Sequence, residues 1–540
     1  MKKRVYALLG GIVLLLGTVS ARLWVLSRDS LEAASVQQSS RVQTIAVSRG
    51  TLYDRYMQPL VNRYYGVKAS VTPYEPMLEA LRMHGEEEAE RYVKGCASEG
   101  ERVVVPLSSW LPPTVGIAQV WAPDRYGAEA LACHLIGYIN GDSAGVSGME
   151  KIFDEVLSRY SGSASVSYQV DALGRAALQG AGRVENTLQN AKGGVVLTLD
   201  AQIQAMVQQT AAERLERGAV LVSSADSGEI LAAVSLPLFD PNRVESALSR
   251  EDSPLLDRTR INYDLGSVFK LVTAAAALEN GISPDTVYVC RGCCRLQGAT
   301  VYCHNPLGDG ALTMREAMIR SCNCYFIELA LDLGADTIRE LAQRFGFSAA
   351  LDIVDGYETS RALMPTEDEL TVEAALANYA IGQGTLMATP YHIQALMTSL
   401  VRDGVWCVPS IYRGEVNEKG ETVGTAPKPE EERVLSARTA KELRSMLEAV
   451  VREGTGQAAM PTEGTAAGKT GTAETGWSID GEPVVQSWFT GYYPAENPAY
   501  IITVLSENGG TNGRTAAPVF RAVCEELTRA GLVEKATPNA

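Results

Sequence analysis

Three short motifs stand in one order in the C-terminal half of the chain, and together they hold the parts of an acyl-transfer site. Ser267-Val268-Phe269-Lys270 is S-x-x-K, Ser321-Cys322-Asn323 is S-x-N, and Lys469-Thr470-Gly471 is K-T-G, continued by Thr472. A serine hydroxyl is a poor nucleophile until a base takes its proton. Lys270 can be that base if burial lowers its pKa, because desolvation disfavours the charged form. It stands at i+3 from Ser267, so on a helix the two share one face. Lys469 supplies a second cation, expected to lower Lys270 further. Ser321 can relay the proton to a leaving amine, and the Asn323 amide can hold a substrate peptide bond. Lys469 and the hydroxyls of Thr470 and Thr472 suit a terminal carboxylate. Gly471 lets a substrate backbone approach closely enough to pair as an added edge strand. The N–H groups of Ser267 and Thr472 are candidates for an oxyanion hole. Each motif alone is weak. S-x-x-K is common by chance, Ser267 would serve as an ordinary helix cap, and Ser321-Cys322-Asn323 as caps or turn residues. Their order and local context make the set specific.

The elements around the motifs have to position them. Gly266-Ser267 precedes an Ala- and Leu-rich run, Val268–Asn280, that stops at Gly281. This predicts a helix with Ser267 at its N-terminus, where the helix end favours developing negative charge. Lys469–Thr472 reads as a strand after a loop over 454–468. Ala219–Ser224 and Glu229–Ser235 are β-rich runs joined by Ala225-Asp226-Ser227-Gly228, a hairpin signal. Helical patterns fill Ser267 to about Asp403; one starts at Thr389-Pro390 and stops at Gly404. Residues 414–432 are polar with Gly and Pro and predict a surface excursion, and Ser436–Arg452 predicts a capped helix. Gly468–Thr472, Ser487–Tyr493 and Tyr500–Leu505 close the chain as strands. Strands at both ends with helices between them predict an α+β domain beginning near Gly218, its sheet assembled from both ends. The mixed region before about residue 205 holds a strand candidate, Arg102–Leu107, and a helix candidate, Tyr74–His84.

The chain has 540 residues, enough for two or three domains, and a formal net charge of -16. That acidic balance argues against nucleic-acid binding, which needs a positive footprint. At the N-terminus, Lys2-Lys3-Arg4 precede an uncharged run from Val5 to Ala21, extended past Arg22 by Leu23 to Leu26. The length suits one bilayer-spanning helix, and the basic flank predicts a cytoplasmic N-terminus with the remainder outside. The alternative is a signal peptide cleaved after Val19-Ser20-Ala21. No later run is long and apolar enough to span again, and residues 27–48 are polar and read as a stalk. Of ten cysteines, Cys290, Cys293, Cys294 and Cys303 cluster as C-x2-C-C-x8-C ahead of His304. A zinc site there lacks a second C-x2-C. Outside the membrane a disulfide is favoured, with Cys290–Cys303 as the best pair and free thiols as the alternative. No metal and no cofactor are expected. With four histidines and no G-x-S-x-G elbow, no other nucleophile system competes; Gly382-Gln383-Gly384 lacks the third glycine of a dinucleotide loop.

These residues resemble class B penicillin-binding proteins, over nearly the whole chain. Tyr263-Asp264-Leu265-Gly266-Ser267-Val268-Phe269-Lys270 is similar to the family's active-site segment, with Leu265 where proline is frequent. Arg49-Gly50-Thr51-Leu52-Tyr53-Asp54-Arg55 is similar to the R-G-x-I-x-D-R signature that follows the anchor, with Tyr56-Met57 in place of the usual Asn-Gly. Gly148-Met149-Glu150, Leu197-Thr198-Leu199-Asp200, Gly382-Gln383-Gly384 and Ala516-Ala517-Pro518-Val519-Phe520 also match. The resemblance implies an anchor over 1–26, a stalk over 27–48, a non-catalytic pedestal over 49–205, a transpeptidase domain over 206–533 and a tail over 534–540. It implies a stem peptide ending in D-Ala-D-Ala as acyl donor, an amine on a neighbouring stem as acceptor, and covalent capture by β-lactams. By the same carry-over Ser267 is the nucleophile, Lys270 its base, Ser321 and Asn323 the second motif, and Lys469, Thr470 and Gly471 the third. No glycosyltransferase signature precedes residue 218, so glycan polymerisation would fall to a partner, a polytopic membrane glycosyltransferase. Two rivals use the same residues differently. One is a D,D-carboxypeptidase or β-lactamase-type hydrolase, and the other is a catalytically silent scaffold of the wall machinery.

Overall fold

The strands expected at both ends of the C-terminal half meet in one sheet. A computed structural model of the chain describes residues 2–38, 40–96, 101–127, 129–171, 173–177, 182–479, 482–507 and 515–533. These form two compact units, one from residues 1–50, 61–127 and 159–192, the other from residues 51–60, 128–158 and 193–540. The sheet of the second unit is antiparallel throughout. Its order is Ile230–Leu236, Gly218–Ser224, Tyr500–Ser506, Glu482–Tyr493 and Ala467–Ile479. Both of its faces are covered, which is why these strands read as nearly unbroken apolar runs. Val220, Val222, Phe489, Ile502 and Val504 pack with the helices Ala201–Ala212 and Ala516–Arg529. Ala219, Trp488, Tyr492, Ile501 and Leu505 pack with the helices Lys270–Glu279, Pro390–Val401 and Ala437–Glu453. Each large apolar side chain fully buried in these layers contributes roughly 1.5–3 kcal/mol relative to exposure.

The helix starts are set by caps that the sequence shows. The Asp200 carboxylate accepts from the N–H groups of Gln202 and Ile203. Thr313 and Glu316 form a reciprocal capping box on the helix Met314–Arg320, and Ser436 accepts from the Thr439 N–H. Gly404, at φ +90°, closes the turn after Pro390–Val401, where a Cβ would meet the Leu435 carbonyl at 2.1 Å.

Three segments differ from expectation. The α-helix of the first motif starts at Lys270, and Ser267 lies in a preceding 3-10 turn, Gly266–Val268. Gly266 has φ +55°, so the α-helix cannot run back through it. The polar stretch over 414–432 lies largely at the surface as expected, but it carries strands that were not. Tyr412–Val416 and Thr422–Thr425 pair with each other and extend a sheet containing Gly194–Leu197 and Thr51–Tyr53. Only Gly414 and Val416 turn inward from the first of these strands, so its outer face hid the alternation. In the first unit, the expected stalk continues the N-terminal helix to Gln38 and then forms a strand, Ser40–Ser48, paired with Gly162–Gln169. Ile45, Ala46 and Ser48 are its buried residues.

Elsewhere in the first unit, Tyr64–Val71 is the central strand between Val103–Leu107 and Ile117–Asp124. The helices Glu75–Met83 and Glu87–Gly95 cover it through Met77, Leu78, Leu81, Ala89 and Val93. Among the described residues one helical segment, Lys2–Val25, is long and apolar enough to cross a membrane, with mean hydropathy 1.9 over its best window.

Candidate active site

Glycines close three segments onto one another around Ser267. A Cβ on Gly266 would stand 2.3 Å from the Thr472 carbonyl oxygen, and one on Gly382 would stand 2.0 Å from the Gly266 oxygen. A Cβ on Gly471 would stand 2.8 Å from the Leu265 oxygen. The Gly266 N–H donates to the Gly382 carbonyl at 2.8 Å, and Gln383 Nε2 donates to the Thr472 carbonyl at 3.5 Å. Trp488, opposite Gly471 on the neighbouring strand, donates from Nε1 to the Asp264 carbonyl at 2.8 Å. The turn carrying Ser267, the Gly382-Gln383-Gly384 loop and the strand carrying the third motif therefore form one packed unit. The third-motif strand, Ala467–Ile479, is the last of its sheet, so among the described residues one of its edges has no strand partner, and an extended peptide can pair there by displacing the Gln383 contact.

Lys270 and Lys469 are both fully buried, and both reach the second motif. Lys270 Nζ donates to the Ser321 carbonyl at 2.7 Å, to Asn323 Oδ1 at 2.7 Å and to Ser321 Oγ at 3.3 Å. Lys469 Nζ donates to Ser321 Oγ at 3.0 Å and to the Thr470 carbonyl at 3.0 Å. Ser321 Oγ thus stands between the two ammonium groups. Ser321 can do this because it ends the helix Met314–Arg320 in the left-handed region, at φ 54°, before the helix Asn323–Leu333 begins. That break turns its carbonyl and hydroxyl toward Lys270. Asn323 Nδ2 donates to the Tyr302 carbonyl at 3.1 Å, which orients the amide so that Oδ1 faces the lysine. The Phe326 ring lies 5.7 Å from Lys270 Nζ.

Burial pushes the Lys270 ammonium down to about 8, opposed by the neighbouring thiols of Cys322, Cys303 and Cys324. Burial lowers Lys469 well below its ordinary value, and the charge of Lys270 lowers it further. The sequence expectation had the pair the other way round, with Lys469 as the fixed cation. Two buried ammonium groups sharing one hydroxyl disfavour double protonation. Each lysine has three oxygen acceptors, and the charge of Lys270 is what tips Lys469 to lose its proton first. Among the described residues the hydrogen bonds of Lys270 go to the second motif and not to Ser267.

Thr470 is partly exposed, and its Oγ1 lies 3.1 Å from Thr455 Oγ1. Thr472 is partly exposed on the same edge strand. Thr455 was not singled out in the sequence, because a threonine in a Gly-rich loop carries no spacing signal. The Cys290–Cys303 disulfide is not formed: all ten cysteines are free thiols. The sulfur neighbouring Cys303 belongs to Cys322, 3.9 Å away, because the second motif turns this side chain inward beneath the hairpin Cys293–Leu296 and Ala299–Tyr302.

A profile of the penicillin-binding protein transpeptidase domain matches residues 218–525. The chain is 30% identical to the peptidoglycan D,D-transpeptidase PbpA of Mycolicibacterium smegmatis, over 63% of this chain and 74% of that protein. It is 30% identical to the penicillin-binding protein PbpB of the same organism, over 75% of this chain and 64% of PbpB. In structure it resembles penicillin-binding protein 3 of Mycobacterium tuberculosis, solved with aztreonam. The TM-score is 0.66 at 26% identity, covering 92% of this chain and 99% of that one. The chain belongs to the penicillin-binding protein transpeptidase family and is a serine-type peptidoglycan D,D-transpeptidase.

Proposed function

We propose that Ser267 is the acylated nucleophile of this enzyme and that Lys270 is its general base. Ser267 Oγ attacks the penultimate D-Ala carbonyl of a stem peptide. The proton passes to neutral Lys270 and on through Ser321 to the departing amine, the C–N bond breaks, and the terminal D-Ala leaves. An amine from a neighbouring stem then attacks the Ser267 ester, and the same proton path runs in reverse. The N–H groups of Ser267 and Thr472 receive the oxyanion. Asn323 orients the donor, and Lys469, Thr470 and Thr472 bind its terminal carboxylate. Gly471 keeps the strand edge open to the peptide backbone. The observation that carries this reading is the placement of Ser321 Oγ within hydrogen-bond distance of both Lys270 and Lys469.

The anchor over 1–26 places the catalytic part outside the cytoplasmic membrane. The working divisions are a stalk over 27–48, a pedestal over 49–205, a transpeptidase domain over 206–533 and a tail over 534–540. Peptidoglycan stems and β-lactams bind at Ser267, and a polytopic membrane glycosyltransferase supplies the glycan strands. Incubation with a pentapeptide donor, with and without an acceptor amine, tests the reaction. Mass spectrometry should show the cross-linked product in proportion to acceptor and none with Ser267→Ala. Release of D-Ala with only the hydrolysed tetrapeptide at saturating acceptor would replace the reading with a carboxypeptidase.

A further inference from the structure

Beneath the second motif lies a group of side chains that transpeptidation does not use. The sulfurs of Cys290, Cys303 and Cys322 and a carboxylate oxygen of Asp309 all lie within 4.8 Å of one another. They come from four places in the fold. Cys290 ends the strand Tyr288–Cys290, and Cys303 follows the hairpin strand Ala299–Tyr302. Asp309 precedes the strand Gly310–Leu312, and Cys322 is the central residue of the second motif. The three cysteines are 3%, 5% and 0% exposed, and the Asp309 side chain is 4% exposed.

Thiols alone would be an ordinary apolar filling. The carboxylate is what that reading leaves unexplained, because a buried carboxylate needs strong partners on both oxygens. Asp309 Oδ1 has them: Asn305 Nδ2 donates at 2.9 Å, and the Arg320 guanidinium is 3.8 Å away. Among the described residues, the hydrogen-bond contact of Oδ2 is the Cys303 sulfur, at 3.9 Å. One oxygen held from outside and the other turned onto a thiol is how an outer contact aims a metal ligand.

The sulfur separation separates two chemistries. A disulfide needs S–S of about 2.0 Å. Two thiolates on one tetrahedral zinc, each about 2.3 Å from it, stand about 3.8 Å apart. Cys303 and Cys322 are 3.9 Å apart. We propose that Cys290, Cys303, Cys322 and Asp309 form a closed tetrahedral site for one divalent zinc ion. Three soft sulfurs and one carboxylate favour zinc over magnesium or calcium. With four protein ligands the site keeps no open position, so the ion is structural. Its effect on the reaction is positional. It ties Cys322 to two strand ends and so holds Ser321 and Asn323, on either side, against Lys270. The C-x2-C-C-x8-C spacing did not show this set, because Cys293 and Cys294 lie outside it and Asp309 and Cys322 lie beyond the spacing.

The test uses the full-length chain in detergent, purified in reducing buffer without chelator. Elemental analysis should find one zinc per chain. Cys303→Ser should lose it, while Cys96→Ser, a change to an exposed thiol outside the group, should keep it. Because Cys303→Ser can also unfold the hairpin, chelator-treated wild type is titrated with Co2+ as well. Thiolate-to-cobalt charge-transfer absorption should appear with tetrahedral d–d bands and saturate at one equivalent. A cooperatively melting wild type that holds no zinc and gives no such absorption would overturn the proposal. So would full zinc content in Cys303→Ser, or a Cys303–Cys322 disulfide in the non-reducing peptide map of the isolated protein.

Discussion

Lys270 and Lys469 meet at the Ser321 hydroxyl, fully buried, and burial is what lowers the Lys270 ammonium. With its pKa pushed down to about 8, Lys270 is neutral in about one chain in ten at pH 7. The base is the neutral form, and the folded value lies below the ordinary one. Penicillin acylation should therefore rise with pH through about 8 and level off above it, as stopped-flow or gel labelling across pH 6–10 would read. A flat profile would mean that Lys270 acts as a fixed charge. Lys270→Arg separates the same alternatives, since arginine keeps the cation and does not deprotonate. Acylation in a variant with native-like melting should fall by roughly two or more orders of magnitude. The eight proposed site residues can be named from the sequence as types at a spacing. The bond from Lys270 to Asn323 and the bridging of both lysines by Ser321 were not. They depend on Ser321 taking the left-handed conformation at a helix end, which no local pattern announces.

At the scale of elements, the site is held by contacts between backbones where glycine leaves room. Gly471 packs on the turn of Ser267, with an added Cβ 2.8 Å from the Leu265 carbonyl and 3.0 Å from Trp488 Cβ. Both neighbours are rigid, so Gly471→Ala has to push the turn away from the strand. The cost should be about 1–3 kcal/mol, the range for overpacking. Calorimetry should show a lowered Tm, and penicillin acylation should fall by a larger factor than the lost stability explains, because the displaced turn carries Ser267, the proposed nucleophile. Unchanged acylation would mean the turn and strand are not coupled. The helices and central strands were legible because their caps and apolar runs are local. Thr389-Pro390 and Ser436 each mark a start that the structure keeps. The strands Tyr412–Val416 and Ser40–Ser48 were not legible, since each buries few side chains and owes its conformation to a partner distant in sequence. Met57 repeats the lesson in small. At φ 64° it adopts the turn conformation usually given to glycine, held by Asp54 Oδ1 accepting from the N–H groups of Tyr56 and Gln58 at 2.8 Å.

In the whole molecule an apolar N-terminal helical segment, Lys2–Val25, precedes the proposed acyl-transfer site in the C-terminal half. The basic residues before Val5 should hold the N-terminus in the cytoplasm. Protease added outside spheroplasts should then digest nearly all of the chain, and a protected C-terminal half would reverse the topology. The fold class was legible because strands at both ends of the unit can pair only by closing on each other. The second unit also takes in residues 51–60 and 128–158, a discontinuity that no composition shift in the sequence marks. The central claim is that the three motifs make one acylating site on Ser267, and penicillin reports on it most directly. The full-length protein is treated with a penicillin, its mass is measured, and the adduct is mapped to a residue. One penicilloyl group per chain should appear, on Ser267. Ser267→Ala should carry none while melting within a few degrees of wild type, because that hydroxyl caps no helix. An adduct on another residue, or labelling that persists in a folded Ser267→Ala protein, would contradict the account.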